Sequence, residues 1–107
     1  RYPDLPLSSN IKGVVSLYDV SDDWIPIYDK SDLPGFYMAI GSSGNQYKNA
    51  PIAGVMMADL IEKCEGGHNH DHDPLKLHLK YIDREIDIGF YSRNRKINAE
   101  SSMSVLG

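Results

Sequence analysis

Hydrophobic and polar residues follow strand-like patterns over much of the first 40 positions. Residues 13–20 are rich in β-branched and aromatic side chains, which is typical of a strand. Residues 24–29 also read as an extended piece, and Pro26 makes it an edge or irregular strand because proline cannot donate a ladder hydrogen bond. Residues 36–40 form a nearly continuous apolar run, which predicts a strand buried on both faces.

One long helix is the clearest predicted element, over residues 49–64. Asn49 is a good N-cap, and Pro51 falls in the first turn, where its missing N–H costs little. Gly66 and Gly67 are expected to end the helix. Apolar side chains recur at helical spacing and form a stripe along the helix. Further apolar neighbours widen this stripe, so we expect a mostly buried helix. The stripe consists of Ala53, Met57, Leu60, Ile61 and Cys64, and the neighbours are Ile52, Val55 and Met56.

The polar tract "HNHDHDP", residues 68–74, separates this helix from the last third of the chain. Imidazole and carboxylate groups suit Zn, Ni or Cu. A polar tract flanked by glycine is more typical of a solvated linker, so we expect a linker with at most adventitious metal binding. The potential ligands are His68, His70, Asp71, His72 and Asp73.

Beyond the tract, apolar and polar residues alternate over positions 75–82, which is typical of a strand with one solvent-exposed face. This alternation places His78 on the exposed face. Asp83 and Arg84 can turn the chain into a following segment, residues 85–92. The cluster Arg93, Arg95 and Lys96 allows two interpretations, a solvated surface or a contact with another domain or subunit.

Composition narrows the class of protein. A chain of 107 residues with 41% hydrophobic and 24% charged residues fits one small domain or a piece of a larger one. The net charge of -4 argues against a nucleic-acid partner, and no apolar run reaches the ~18 residues of a membrane span. Cys64 is the single cysteine, which indicates a reducing compartment such as the cytoplasm and suits a small core residue better than a nucleophile. The start at Arg1 in "RYPDLPL" resembles the middle of a longer polypeptide.

A glycine-containing loop, residues 41–48, lies between the apolar run and the helix. Glycine lets a backbone approach a ligand closely, and a helix N-terminus offers unpaired N–H groups with a partial positive charge. The loop "GSSGNQYK" matches neither G-x-G-x-x-G nor a P-loop. The pattern alone therefore fits either a cofactor edge or a plain connection that needs glycines for tight turns.

Three stretches together carry a family resemblance: "LYDVSDDWIPIYD", "LPGFYMAIGSSGNQYKNAPIAGVMMADLI" and "IDIGFYSRNRKINAESSMSVLG". They resemble the C-terminal part of the FAD-dependent D-amino-acid oxidase superfamily, in the branch of sarcosine oxidase and dimethylglycine dehydrogenase-like oxidoreductases. The resemblance implies an α/β fold. The chain would be the C-terminal part of a Rossmann-like FAD-binding domain and would contain a buried strand–glycine loop–helix unit with extra β-strands. Residues 1–34 would be the segment through which the chain returns from the substrate domain to the FAD-binding domain. Residues 35–67 would form the strand–loop–helix of the FAD-binding domain, and residues 68–107 would form a polar linker and a C-terminal β-rich arm.

The resemblance also implies roles for individual residues. The loop would line the flavin, and the helix would direct its positive end at the pyrimidine side of the ring. Lys48 matches a lysine that pairs with the substrate carboxylate, and Tyr18 matches an active-site tyrosine. The implied activity is oxidation of secondary or N-methylated amino acids by hydride transfer to FAD. The loop residues implied to line the cofactor are Gly41, Ser43, Gly44, Asn45, Gln46 and Tyr47.

Three departures from the family pattern limit what can be carried over. Ser16 stands where some relatives attach flavin through cysteine, so covalent attachment there is not expected. "NQYK" replaces a frequent histidine–glycine pair, which favours a dehydrogenase-like or an uncharacterised relative. The chain has no G-x-G-x-x-G for the FAD pyrophosphate, so we expect weak or no FAD binding and no turnover by the chain alone.

The alternative to an enzyme fragment is a non-catalytic truncated module. A strand buried on both faces would lack most of its sheet in so short a chain. We therefore expect such a module to oligomerise, or to associate with a partner chain or the rest of the enzyme.

Overall fold

A computed structural model describes residues 12–100 and shows a small mixed α/β arrangement of one helix and two antiparallel strand pairs within that range. The elements are β1 (Ile27–Lys30), β2 (Tyr37–Ile40), a 3-10 turn (Tyr47–Asn49), α1 (Ala50–Glu65), β3 (Lys76–Leu79), β4 (Arg84–Asp87) and a second 3-10 turn (Ile88–Tyr91). The start "RYPDLPL" and the end of the third family-like stretch lie outside the described residues.

Each strand pair is a hairpin. In the first, Tyr28 lies opposite Ala39, and the Ser31 N–H donates to the Phe36 carbonyl at 2.9 Å to close the turn. In the second, Leu77 lies opposite Ile86. The predicted alternation of residues 75–82 is confirmed over β3, where His78 lies on the exposed face.

The helix matches its prediction in position and differs at its start. Pro51 occupies the first turn and the chain leaves the helix at Gly66, both as predicted. Asn49 makes no side-chain cap, and its amide donates to Gln46 Oε1 at 2.8 Å. At the other end Gly67 has φ +100° and the His68 N–H donates to the Lys63 carbonyl at 3.0 Å, which satisfies one of the last helical carbonyls.

The core lies between one face of α1, β1 and the second hairpin. It consists of Tyr28, Met56, Leu60, Leu75 and Ile88. The prediction of a mostly buried helix is wrong, since Val55 is 51% and Ile61 38% exposed. Helical periodicity identified an apolar stripe, but only one face of α1 has an element to pack on within residues 12–100.

One predicted strand is absent, and a second is present but lacks its predicted burial, for the same physical reason. Residues 13–20 form no strand, and Val15 is fully exposed. The run 36–40 is not buried on both faces, because Phe36 is 55% and Ile40 44% exposed. A strand buried on both faces needs partners along its edges and on its faces, and within residues 12–100 the only strand that pairs with β2 is β1.

The histidine tract and the basic cluster are parts of the fold. His70 is 2% exposed, so the prediction of a solvated linker is wrong at this position. Arg93 binds three carboxylates, those of Asp29, Asp32 and Asp71, and Arg95 binds the buried Asp23. Both arginines serve contacts within the chain, while Lys96 is exposed.

Candidate functional site

The glycine loop after β2 turns through residues with left-handed backbone conformations. Gly41 has φ +70°, Ser43 +54° and Gly44 +78°. This region is strained for residues with a side chain, and Ser43 is stabilised there by donating its hydroxyl to the Gly41 carbonyl at 3.1 Å. Ser43 is fully buried and Gly41 is buried too, so these two residues form the inside of the loop.

Asp19 fastens the loop to the segment that precedes β1. Its carboxylate accepts the Gly41 N–H at 2.6 Å, and its backbone carbonyl accepts the Ser43 N–H at 2.7 Å. The two hydrogen bonds satisfy backbone donors that would otherwise be unpaired in a buried turn. The loop and the Asp19 segment are therefore held as one unit.

Tyr18 packs on this loop at Gly44. A Cβ added to Gly44 would lie 2.9 Å from two carbons of the Tyr18 ring, closer than real side-chain contacts allow. Glycine at this position permits both the positive φ and the aromatic contact. The structure thus brings Tyr18, which is distant in sequence, to the loop that contains Gly41, Ser43 and Gly44.

An open groove of about 440 Å³ runs along the outer side of the loop towards α1. Gly44, Gln46 and Tyr47 line the groove, together with Ser42, which sequence reasoning did not select. The loop side chains that border it are fixed by amide hydrogen bonds. Gln46 donates to Asn45 Oδ1 at 2.7 Å, and Gln46 Oε1 accepts from Asn49.

The helix entrance offers fewer free donors than a plain helix start. The Asn49 N–H donates to the Gln46 carbonyl, and the Ala50 N–H donates to the Tyr47 carbonyl. The 3-10 turn thereby uses groups that the sequence pattern left for a ligand. Lys48 lies in this turn with its side chain exposed.

Asp19 and Ser42 are the residues of this site that sequence reasoning missed. Ser42 stood within "GSSG", where its position between selected residues was the available signal. Asp19 follows Tyr18 directly, but a carboxylate that binds a backbone N–H 22 residues further along leaves no sequence pattern.

Among residues 12–100, no three His, Cys, Asp or Glu side chains gather closely enough to hold a metal ion. Burial raises the pKa of the Cys64 thiol, and Cys64 packs against the core, as expected of a structural cysteine. In the same range of residues, no helix has the length and apolar character that a membrane crossing requires.

No protein-family model, curated protein or solved structure matches this chain.

Proposed function

We propose that this chain forms one wall of a flavin site in an oxidoreductase that acts on secondary or N-methylated amino acids. The observation that supports the proposal most is the packing of Tyr18 on Gly44, with Asp19 hydrogen-bonded to Gly41 and Ser43. These positions carry the resemblance to sarcosine oxidase and dimethylglycine dehydrogenase-like enzymes. Their proximity supports a shared site that no single motif predicts.

The residues of the groove fit one side of a flat ring system. Gly44 has no side chain that would project into the groove. Ile40 and Tyr47 supply apolar area, and Gln46 supplies an amide beside them. Gly41 and Ser43, which lie inside the loop, would act by fixing its shape. Bound flavin would supply the hydride acceptor for the oxidation.

Lys48 and Tyr18 are the proposed substrate-facing groups. The exposed ammonium of Lys48 can pair with the carboxylate of an amino-acid substrate and so fix its orientation. The Tyr18 phenol provides a hydroxyl next to the loop, where it can hydrogen-bond a polar group of the substrate. The positive end of α1 lies after the loop and favours negative charge that develops nearby.

The finer fold class belongs to the same proposal. The strand, loop and helix would be the C-terminal part of a Rossmann-like FAD-binding domain whose pyrophosphate-binding G-x-G-x-x-G lies outside these 107 residues. The chain alone would then bind FAD weakly and have no turnover, and the single cysteine fits a cytoplasmic enzyme.

Two exposed tyrosines provide a matched test of flavin binding. Tyr47 lines the groove and is 97% exposed, while Tyr81 is 89% exposed and lies outside this groove. We expect lumiflavin, the ring without the nucleotide, to bind Tyr47→Ala about threefold to tenfold more weakly than wild type, as loss of an aromatic contact implies. Tyr81→Ala should bind like wild type. Fluorescence titration measures both, and equal affinities of the two variants would contradict the groove as the flavin site.

A second candidate is the non-catalytic module that associates through exposed apolar surface. The exposed fractions are 94% for Val14, 100% for Val15 and 95% for Leu17, an extent that usually marks an interaction site. Sedimentation of the purified chain as a dimer, or as a complex with a partner chain, would favour association. A well-folded monomer would count against it.

A further inference from the structure

His70 is a histidine held in the interior by a hydrogen bond to its ring. It is 2% exposed, and its Nδ1 accepts the Leu75 N–H at 3.0 Å. An acceptor nitrogen carries no proton, so the ring is the neutral tautomer with hydrogen on Nε2. Leu75 is a core residue whose carbonyl in turn accepts the Ile88 N–H at 2.9 Å.

The other ring nitrogen faces a carboxylate without bonding to it. His70 Nε2 is buried and has no hydrogen-bond partner, and it lies 3.8 Å from Asp29 Oδ1. Asp29 is itself fully buried. Its Oδ1 accepts the Lys30 N–H, while its Oδ2 accepts the Arg93 N–H and the Arg93 guanidinium. The carboxylate is therefore already satisfied by donors other than His70.

The charges around His70 come from each element packed on it. Asp29 belongs to β1, Asp87 ends β4, and Asp71 and His68 belong to the same tract. Two cations offset the acids, because Arg93 binds Asp29 and Asp71 at 2.9 and 3.0 Å and Lys30 binds Asp71 at 3.0 Å. A proton added to His70 would thus place a further charge next to Asp29 and Asp71, which already have cationic partners.

We propose that His70 is an acid-sensitive latch that joins the tract 68–74 to the core while neutral and releases it when protonated. Protonation adds hydrogen to Nδ1, the atom that accepts the Leu75 N–H, so that hydrogen bond breaks and two N–H groups face each other. The imidazolium would also be buried, which is costly without a new hydrogen-bonded partner. Both effects act at the start of β3 and weaken the attachment of Leu75.

The sign of the pH dependence follows from this environment. Burial lowers the pKa of His70 below its ordinary value of 6.5, and the nearby Asp29 opposes the shift only in part. The folded state therefore takes up the proton less readily than the unfolded chain. The stability that neutral His70 contributes is complete above about pH 6.5 and is lost as the pH falls below it.

His70→Asn provides the matched variant, because the Asn Oδ1 can accept the Leu75 N–H and does not titrate. We expect the unfolding equilibrium constant of the wild type, relative to that of His70→Asn, to rise as the pH is lowered from 6.5 towards the pKa of His70. The rise should be up to about tenfold for each unit by which the pH falls. His78→Asn, at an exposed position of β3, should retain the wild-type pH dependence. Urea unfolding at a series of pH values measures all three proteins, and a pH dependence that His70→Asn does not reduce would overturn the proposal.

A second measurement needs no variant at His70 and decides the matter if His70→Asn fails to fold. NMR of the histidine ring nitrogens in the wild type should show His70 with hydrogen on Nε2 and a titration midpoint below 6.5. A midpoint at or above 6.5, or a proton on Nδ1 of the neutral ring, would overturn the proposal.

Discussion

Gly44 is the residue on which the local geometry of the candidate site depends most. Its φ of +78° is a conformation that other residues adopt at a cost, and its Cα faces the Tyr18 ring. Both demands come from one position, so a substitution there changes the loop and the aromatic contact together.

Gly44→Ala should destabilise the folded chain by about 1–3 kcal/mol, through backbone strain and collision with Tyr18. Gly54→Ala is the matched control. Gly54 lies inside α1 with nothing within 4 Å of its added Cβ, so alanine there should stabilise by about 0.5–1 kcal/mol. Urea unfolding of both variants measures the difference, and equal effects would contradict the loop geometry.

Sequence reasoning at the residue scale found part of the site. The glycines of "GSSG" left open close approach of a ligand or a tight turn, and the structure places the Tyr18 ring of the same chain against Gly44. The clamp by Asp19 and the burial of His70 were missed, because each depends on a contact with a distant segment. A polar residue in a polar tract gives no local sign that the fold will bury it.

At the scale of elements, α1 stabilises the fold through one face. Leu60 is fully buried, while Ile61, the next residue, is 38% exposed. Consecutive helical residues point about 100° apart, so one of these two side chains lies on the packed side of the helix and the other on its exposed side.

Leu60→Ala should therefore lower the free energy of unfolding by about 2–5 kcal/mol, since it leaves a cavity in the core. Ile61→Ala removes a side chain of the same size from the exposed side and should cost less than about 1 kcal/mol. Thermal or urea unfolding can compare the two. Similar losses would mean that the outer face of α1 is covered in solution.

Elements that depend on local pattern were predicted well, and those that depend on partners were not. The period of α1 and the alternation in β3 are set by each segment's own residues. The strand predicted at 13–20 is absent, and the strand at 36–40 forms as β2 without the neighbours that burial on both faces needs. The same apolar composition that predicted buried strands remains as exposed surface at Val15 and Phe36.

On the scale of the whole molecule, two carboxylates connect distant parts of the chain. Burial opposes the charge on Asp23, but hydrogen bonds from Arg95 and from the Asn98 and Ile25 N–H groups lower its pKa to about 2. The hydrogen bond from Arg93 lowers the pKa of Asp71 to about 2 as well. The two residues link the segment before β1 and the tract after α1 to the arginines near the end of the described chain.

These lowered pKa values predict a loss of stability in strong acid. The stabilising effect of each carboxylate is present above the ordinary pKa of 3.8 and is lost as the pH falls towards 2. Asp23→Asn should be less stable than wild type at pH 5, and the ratio of their unfolding constants should shrink by about thirtyfold by pH 2. Asp22→Asn, at the exposed neighbouring position, serves as the control. A ratio that stays constant over this range would contradict the role of the Asp23–Arg95 pair.

We propose that the glycine loop and Tyr18 form one wall of a flavin site. An NMR titration of the isotope-labelled chain with lumiflavin, and separately with AMP, tests it most directly, because lumiflavin carries only the ring and AMP only the nucleotide half. We expect lumiflavin to shift the resonances of Tyr18, Gly44, Gln46, Tyr47 and Lys48, and AMP to leave them unchanged. Shifts confined to other parts of the chain, or no shifts at saturating lumiflavin, would contradict the proposed function.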